Sequence, residues 1–270
     1  MLFDLYGDFG IEGGRPGSMR LAAIIHLAET LGSSGVSVRA AAVRMAREGW
    51  LSAERTGRES TYHLTQAGWQ LVEEGRLRMF GASHEAWDQR WCLIALSVPE
   101  ARREVRDRLR RQLTWLGFGS PSAGLYVSPH DHHASVERLA GELEAAEFVQ
   151  IYQAVSLRPA DPRDVVARAW TELDRVNVRY AEFLERFGAE GARIKQEVRA
   201  ARFADEDAFR LRFALASQFR HCLYADPELP SELAPVNWCG GTARRLFVEL
   251  HALVTPGGMR YFEAANRTPG

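Results

Sequence analysis

Lysine is almost missing from this chain. Of its 34 basic residues only Lys195 is a lysine and the rest are arginine. Cationic surface must therefore be built from guanidinium forks. Such an arginine excess follows first from a GC-rich genome and does not by itself point to phosphate binding. Cysteine is scarce as well: Cys92, Cys222 and Cys239 are three in number, far apart and without a C-x-x-C. That excludes a disulfide scaffold and a zinc ribbon, and it fits reduced structural thiols in a cytoplasmic protein. No apolar run approaches the ~18 residues of a membrane span. The first residues, Met-Leu-Phe-Asp-Leu-Tyr-Gly-Asp, carry early acids and no basic stretch, so no signal peptide is expected. Catalytic fingerprints are missing too: there is no G-x-S-x-G, Walker A or dinucleotide glycine pattern. The run Gly13-Gly14-Arg15-Pro16-Gly17 lacks a Gly-Lys-Ser/Thr ending and reads as a turn. Net charge is −1, which argues neither for nor against nucleic acid.

What is present is an ordinary globular composition over 270 residues, with 46 % apolar and 26 % charged residues, enough for two or three domains. The expected class is α+β in three segments, residues 1–82, 85–160 and 161–270. In the first, Ser18 caps a helix with Leu21, Ile24, Ile25, Ala28 and Leu31 on one side. Residues 32–35 break it. Ser37 caps the next helix, whose apolar side is Val38, Ala41, Ala42 and Met45 and which Gly49 ends. Residues 50–55 and 60–64 read as two strands around a turn at 56–59. Thr65 then starts a helix toward Met79. Two helices joined by a short glycine-containing turn and followed by a hairpin are the parts of a winged helix-turn-helix.

The second segment alternates differently. A strand over 91–98 leads through Pro99-Glu100 into a helix with Val105, Leu109, Leu113 and Leu116. A strand over 125–127, a helix over 136–146 and a strand over 148–157 follow. A further short strand near 116–119 completes β-α-β-β-α-β, the ferredoxin-like pattern. After the linker Arg158-Pro159-Ala160-Asp161-Pro162, helices are expected over 165–187, 191–203 and 205–223. A proline-rich connection over 226–240 precedes a last helix over 243–253.

At 100° per residue the helix from Ser37 to Glu48 turns Ala40, Val43 and Arg47 away from its apolar side, flanked by Arg39 and Arg44. Guanidinium groups can take guanine O6/N7 or phosphate, and Ala or Val can touch thymine methyls, so this face suits the major groove. A plain solvated or interface face is the other reading. Arg55 and Arg58 flank Gly57 at the hairpin tip, placed for phosphates or the minor groove; a solvated hairpin is the alternative. Residues 36–60 hold five arginines against three glutamates, and residues 1–80 hold nine basic against nine acidic residues. The inference therefore rests on the order of elements and the exposed face, not on bulk charge. The candidate DNA-binding residues are Ser37, Arg39, Ala40, Val43, Arg44, Arg47, Arg55 and Arg58.

A set of short motifs adds a family resemblance. They are Leu5-Tyr6-Gly7-Asp8, Val38-Arg39 through Arg47-Glu48-Gly49-Trp50-Leu51, and Gly57-Arg58-Glu59-Ser60-Thr61-Tyr62-His63-Leu64-Thr65. Further along stand Trp87-Asp88-Gln89-Arg90-Trp91, Trp115-Leu116-Gly117-Phe118-Gly119, Asp226-Pro227-Glu228-Leu229-Pro230 and Trp238. In this order the chain resembles the PaaX-like repressors of phenylacetate degradation over nearly its whole length. The resemblance implies a winged-helix repressor with a ferredoxin-like middle domain and a helical C-terminal domain. It implies a homodimer on a palindromic double-stranded operator, released by phenylacetyl-coenzyme A or a similar acyl-coenzyme A. Arg39, Arg44 and Arg47 would then lie on the recognition helix and Arg58 in the wing. Ala40 departs from the family's expected Thr, which bears on operator choice. Asn237 and Cys239 depart from the Asp and Pro around Trp238, which bears on the inducer.

Other constellations have two readings each. Arg102, Arg103, Arg106, Arg108, Arg110 and Arg111 make one helix basic, for the phosphates of a coenzyme A thioester, for auxiliary DNA contact, or only as a solvated face. Trp115, Phe118, Trp170, Tyr180 and Trp238 could line an aromatic pocket or fill the core. The effector candidates are Arg106, Arg110, Trp115, Phe118 and Trp238. The run His130-Asp131-His132-His133 cannot aim all its side chains at one ion and reads as a loop with Asp131 as cap. The middle segment also resembles small CRISPR-associated ferredoxin-like proteins, in which a strand-end Asp such as Asp88 serves metal-dependent cleavage. A nuclease is accordingly the alternative to a regulator. The expectation is a non-enzyme with no catalytic residues, cofactor, metal or membrane partner.

Overall fold

The computed structural model describes residues 1–12, 15–57, 59–81, 86–158 and 161–267. Arg58 lies outside the described residues. Contacts divide the chain into two compact units, Met1–Gly81 with Ala181–His221 and Gly241–Gly270, and Ala82–Tyr180 with Cys222–Gly240.

In the first unit α1 (Leu2–Asp8) is followed by a short ladder of β1 (Ile11–Glu12) and β2 (Arg15–Pro16). Then come β3 (Ser18–Arg20), α2 (Leu21–Thr30), α3 (Gly35–Arg47), β4 (Leu51–Thr56), β5 (Glu59–Leu64) and α4 (Gln66–Phe80). The three strands form an antiparallel sheet in the order β3-β5-β4. Two expected caps move. Ser18 is not a helix cap but a strand residue opposite His63, because β3 pairs with β5 more than 40 residues away. Ser37 is not the cap of α3 either: Ser34 is, and its Oγ accepts from the Ser37 N–H at 3.2 Å. The helix thus begins three residues, nearly one turn, before the sequence reading.

The end of α3 follows the expectation. Gly49 has φ +82°, the Trp50 N–H donates to the Met45 carbonyl at 2.9 Å, and the Gly49 N–H donates to Ala46. These are the two bonds of a glycine-terminated helix. Thr65 caps α4, accepting from the Gly68 N–H at 3.1 Å and donating to the Gly49 carbonyl at 2.6 Å. One hydroxyl thereby ties the end of α3 to the start of α4.

The core of this unit joins Leu5, Tyr6, Ile24, Leu27, Val38, Ala42 and Tyr62 to Phe209 and Phe262, from far down the chain. These two belong to α9 (Asp205–Leu223) and α10 (Gly240–Arg267), which follow α7 (Pro162–Ala169) and α8 (Leu173–Arg199). Phe9 lies 4.8 Å from Phe209 and 5.6 Å from Phe262, ring to ring. Two helix boundaries differ from the sequence reading. The expected helix over 165–187 breaks after Ala169, and α8 then runs unbroken through Gly188 and Gly191, which face Leu246 and Leu250 of α10. The last helix does not stop at Leu253 but continues through Pro256 to Arg267. Proline in a helix interior costs about 3 kcal/mol; the helix nevertheless continues, with Gly257 and Gly258 so close to Ala208 and Phe209 of α9 that a Cβ would crowd them.

The second unit contains β6 (Trp91–Leu96), a 3₁₀ turn (Glu100–Arg102), α5 (Arg103–Trp115), β7 (Gly119–Ser122), β8 (Leu125–Ser128), α6 (His133–Glu142) and β9 (Val149–Ala154). The sheet order is β7-β8-β6-β9 with every pair antiparallel. The extra strand sits three residues later than expected, since Gly117 (φ +89°) first closes α5. Strand alternation sorts the two faces. Cys92 and Ile94 pack with Leu113, Phe118, Tyr126 and Val136 beneath α5 and α6. Trp91 and Leu93 pack on the other face with Val166 and Ala169 of α7 and with Leu229 and Leu233.

Candidate nucleic-acid interface

Burial sorts α3 as its periodicity requires. Val38 and Ala42 are fully buried and Met45 nearly so, while Ser37, Arg39, Ala40, Val43, Arg44 and Arg47 are exposed. Because α3 begins at Gly35, Val36 joins the outward side, one turn before Ala40. Residues 36, 40, 43 and 47 stand at i, i+4, i+7 and i+11, a single stripe. Val36 is 75 % and Val43 61 % exposed. Sequence reasoning missed Val36 because it capped the helix at Ser37; the signal was Ser34, three residues before Ser37.

No hydrogen bond or ion pair engages the side chains of Arg39, Arg44 or Arg47 among the described residues. An exposed helix whose arginines only confer solubility would pair them with acids at i±4, as Arg193 does with Glu197 at 2.9 Å. Here three guanidiniums and two valines share solvent with no counter-ion. The surface can hold phosphates by charge and present methyls to a base edge.

The hairpin stands beside this helix in sequence and in the same core. Its register runs from Leu51↔Leu64 to Thr56↔Glu59, and Gly57 turns with φ +65°. Arg55 is exposed near the tip, its Nε donating to the Gly57 carbonyl at 3.2 Å. Glu54 and Glu59 are drawn off toward His63 and Arg20, each at 3.7 Å. That leaves Arg55 as a cation at the tip, while Arg58 lies outside the described residues.

The effector candidates do not form one group. Arg106 and Arg110 line a common cleft at the end of β6. Trp115 meets Tyr224 edge-on at 5.5 Å. Phe118 is buried in the core under α5 and α6. Trp238 packs on Tyr180 at 5.6 Å, and Trp170 donates from Nε1 to the Gly117 carbonyl at 3.1 Å. These aromatic rings serve packing. Asp131 was expected to cap, but His132 holds the N-cap position of α6 and no side chain caps it. Asp131 instead makes a local turn, accepting from the His133 N–H at 3.1 Å and from its Nδ1 at 2.7 Å, and the His130 imidazole donates to the Glu228 carbonyl at 2.8 Å. The strand-end Asp88 accepts the Arg90 N–H at 2.8 Å. Among the described residues no group of three His, Cys, Asp or Glu side chains could hold a metal ion.

Fold and surface define an α+β protein of two units, one of which presents a helix face of unpaired arginine and small apolar side chains. Comparison with known proteins narrows this. Residues 1–68 match the family described as PaaX-like protein, residues 84–166 the PaaX protein central Cas2-like domain, and residues 170–264 the PaaX-like protein C-terminal domain. A relative in Escherichia coli (strain K12), named Transcriptional repressor PaaX, is 31 % identical over 271 residues, covering 99 % of this chain and 84 % of its own. The chain belongs to the PaaX-like family. Among solved structures, the uncharacterized protein Rv0674 from Mycobacterium tuberculosis is similar in fold, with TM-score 0.57 and 20 % identity over 90 % of this chain and 89 % of that one. The middle domain is thus Cas2-like and the C-terminal region helical. A relative named as a repressor and an Asp88 engaged as a turn cap leave the nuclease reading unsupported.

Proposed function

We propose that this chain is a DNA-binding transcriptional repressor of an aromatic-acid catabolic operon, with α2 and α3 as helix-turn-helix and the β4–β5 hairpin as wing. The observation that carries the reading is the outer face of α3, where Val36, Ala40, Val43 and Arg47 form one exposed stripe flanked by unpaired Arg39 and Arg44. Ser37, exposed in the first turn, has both its N–H and its hydroxyl bonded to Ser34 Oγ, and a phosphate would have to share that hydroxyl. Arg55 and Arg58 would meet the backbone beside the groove. Residues 1–82 then read DNA, residues 85–160 form a ferredoxin-like domain with the split β-α-β order, and residues 161–270 supply the helical part.

A cytoplasmic homodimer would set two copies of α3 in successive major grooves, ~34 Å apart on a palindromic operator. The name of the Escherichia coli relative supports repression, and the family points to phenylacetate catabolism. An acyl-coenzyme A thioester such as phenylacetyl-coenzyme A would release DNA by favouring the non-binding conformation, which requires differential affinity for the two states.

Fluorescence anisotropy of the purified chain on the intergenic DNA beside its own gene tests this, at about 0.15 M salt against scrambled DNA. Selective binding that is lost in Arg44→Ala/Arg47→Ala and on adding phenylacetyl-coenzyme A is expected. Selective binding indifferent to the thioester removes the effector but keeps the regulator. Binding equal on scrambled DNA, or unchanged in the double variant, overturns the reading of α3.

A further inference from the structure

The second unit holds a cleft of about 510 Å³ where β6 ends. Leu96, Val98 and Pro99 give it an apolar wall, and Arg106 and Arg110, one turn apart on α5, line another. The volume falls within the ~300–1,000 Å³ of small-molecule pockets. Charge bookkeeping on α5 is uneven. Arg103 pairs with Asp107 at 3.7 Å and Arg106 with Glu100 at 2.7 Å, but Arg110 has no ion pair among the described residues. Its neighbours at i±4 are Arg106 and Thr114, and Thr114 donates its hydroxyl to the Arg110 carbonyl, away from the guanidinium. Arg108 and Arg111, also without ion pairs, add like charge on the same helix. A concave wall of low polarity focuses such a field. Ser97, exposed on the rim, offers a hydroxyl that no hydrogen bond occupies among the described residues.

We propose that this cleft binds the phosphoryl group of a small phosphate-bearing molecule, with Arg110 as principal contact and Arg106 and Ser97 beside it. The molecule's ring or acyl portion lies on Leu96, Val98 and Pro99. A guanidinium fork takes two oxygens of one anion at once, and a second guanidinium one turn away leaves room for a third. A phosphate dianion satisfies both better than a carboxylate does, since Arg106 already has one carboxylate. If the occupant is the thioester effector proposed above, the inference locates the nucleotide end of that molecule and to that extent rests on that reading. A free nucleotide is the other source of the same chemistry.

Calorimetric titration of the full chain with adenosine 3′,5′-bisphosphate, phenylacetyl-coenzyme A and phenylacetate tests it. Binding of a phosphate-bearing probe, roughly tenfold or more weaker in Arg110→Glu, is expected, with most affinity kept in Arg110→Lys. Arg108→Glu, on the same helix outside the cleft, is expected to leave affinity unchanged. Adenosine bisphosphate binding as tightly as the thioester identifies a free nucleotide as sufficient, and thioester binding alone identifies the effector. Equal losses in Arg108→Glu and Arg110→Glu, no loss in Arg110→Glu, or no binding of either phosphate-bearing probe to the wild type would overturn the site. Parallel anisotropy separates the two readings. Bisphosphate bound through Arg110 on a chain whose DNA ignores the thioester sinks the effector alone. DNA release that survives Arg110→Glu unchanged overturns the cleft as the place of the thioester's nucleotide end.

Discussion

Arg212 holds together a buried ionic network in the first unit. It is 6 % exposed, and its Nε lies 3.1 Å from Asp8 Oδ2 while Nη2 donates to the Asp8 backbone carbonyl. His251 Nε2 stands 2.7 Å from Asp8 Oδ1, and the guanidinium covers the Phe9 ring at 4.4 Å. Burial pushes the Arg212 guanidinium below the usual arginine range, and the Asp8 carboxylate opposes that. Asp8, Arg212 and His251 stand on α1, α9 and α10; Arg212 and His251 lie 204 and 243 positions from Asp8, so the network ties together segments from the two ends of the unit. Consider Arg212→Met, which keeps the stem and removes the charge. Asp8 would then stay buried with its main counter-charge gone, a change that costs about 3–5 kcal/mol. At ~2–4 °C per kcal/mol for a body of this size, Tm falls by roughly 6–20 °C. Urea unfolding followed by far-UV circular dichroism gives the free energy, and a thermal scan gives Tm. Asp8→Leu/Arg212→Met, which removes both charges, is expected to recover most of the loss, because a buried pair and an apolar replacement are close in free energy. A loss below about 1 kcal/mol in Arg212→Met, or a double variant as unstable as the single one, would refute the reasoning.

Val43→Glu puts an acid on the α3 stripe without touching the core, so operator affinity should fall about tenfold or more, near 1.4 kcal/mol, with Tm unchanged; equal affinity by anisotropy would remove the stripe from the interface. A Cβ at Gly119 would lie 2.5 Å from Trp170 Cδ2, so Gly119→Ala should cost about 1–3 kcal/mol and alter tryptophan fluorescence. Urea curves that superimpose on the wild type would show that the α7 contact gives way freely. The Asp131 hydrogen bond raises the His133 pKa above the ordinary imidazole value of about 6.5 and lowers the Asp131 carboxyl in return. With the histidine raised, the pair's stabilisation is complete below the unfolded imidazole pKa and is lost as pH rises through the folded one. On the acid side it is lost as pH falls through the depressed Asp131 pKa. An NMR titration should find His133 titrating above a free histidine and returning to it in Asp131→Asn; an identical midpoint in the variant would contradict the pairing.

Local chemistry made much of this protein legible in the sequence. The apolar spacing of Val38, Ala42 and Met45, the glycine at 49, the hairpin strands and the Thr65 cap depend on residues within one turn or one hairpin, and each formed as read. The β-α-β-β-α-β order of the middle segment follows from alternation and helical period in the same way. The outward residues of α3 were legible because a helix with one buried side has only one other side to show. Long-range pairing was not legible. Ser18 looks like a helix cap, and only its ladder with β5 makes it a strand residue. Gly188, Gly191 and Pro256 look like helix breaks, and only packing between α8, α9 and α10 carries the helices through them. Nothing near Phe209, Phe262 or Arg212 in the chain says that they finish the core around Phe9 and Asp8. The sequence by itself determined periodicity, the Gly49 and Thr65 helix ends and the order of elements, since these are settled by neighbours a few bonds away. Which segments share a core was decided by tertiary structure alone, because burial free energy depends on surfaces that meet only after the chain has folded.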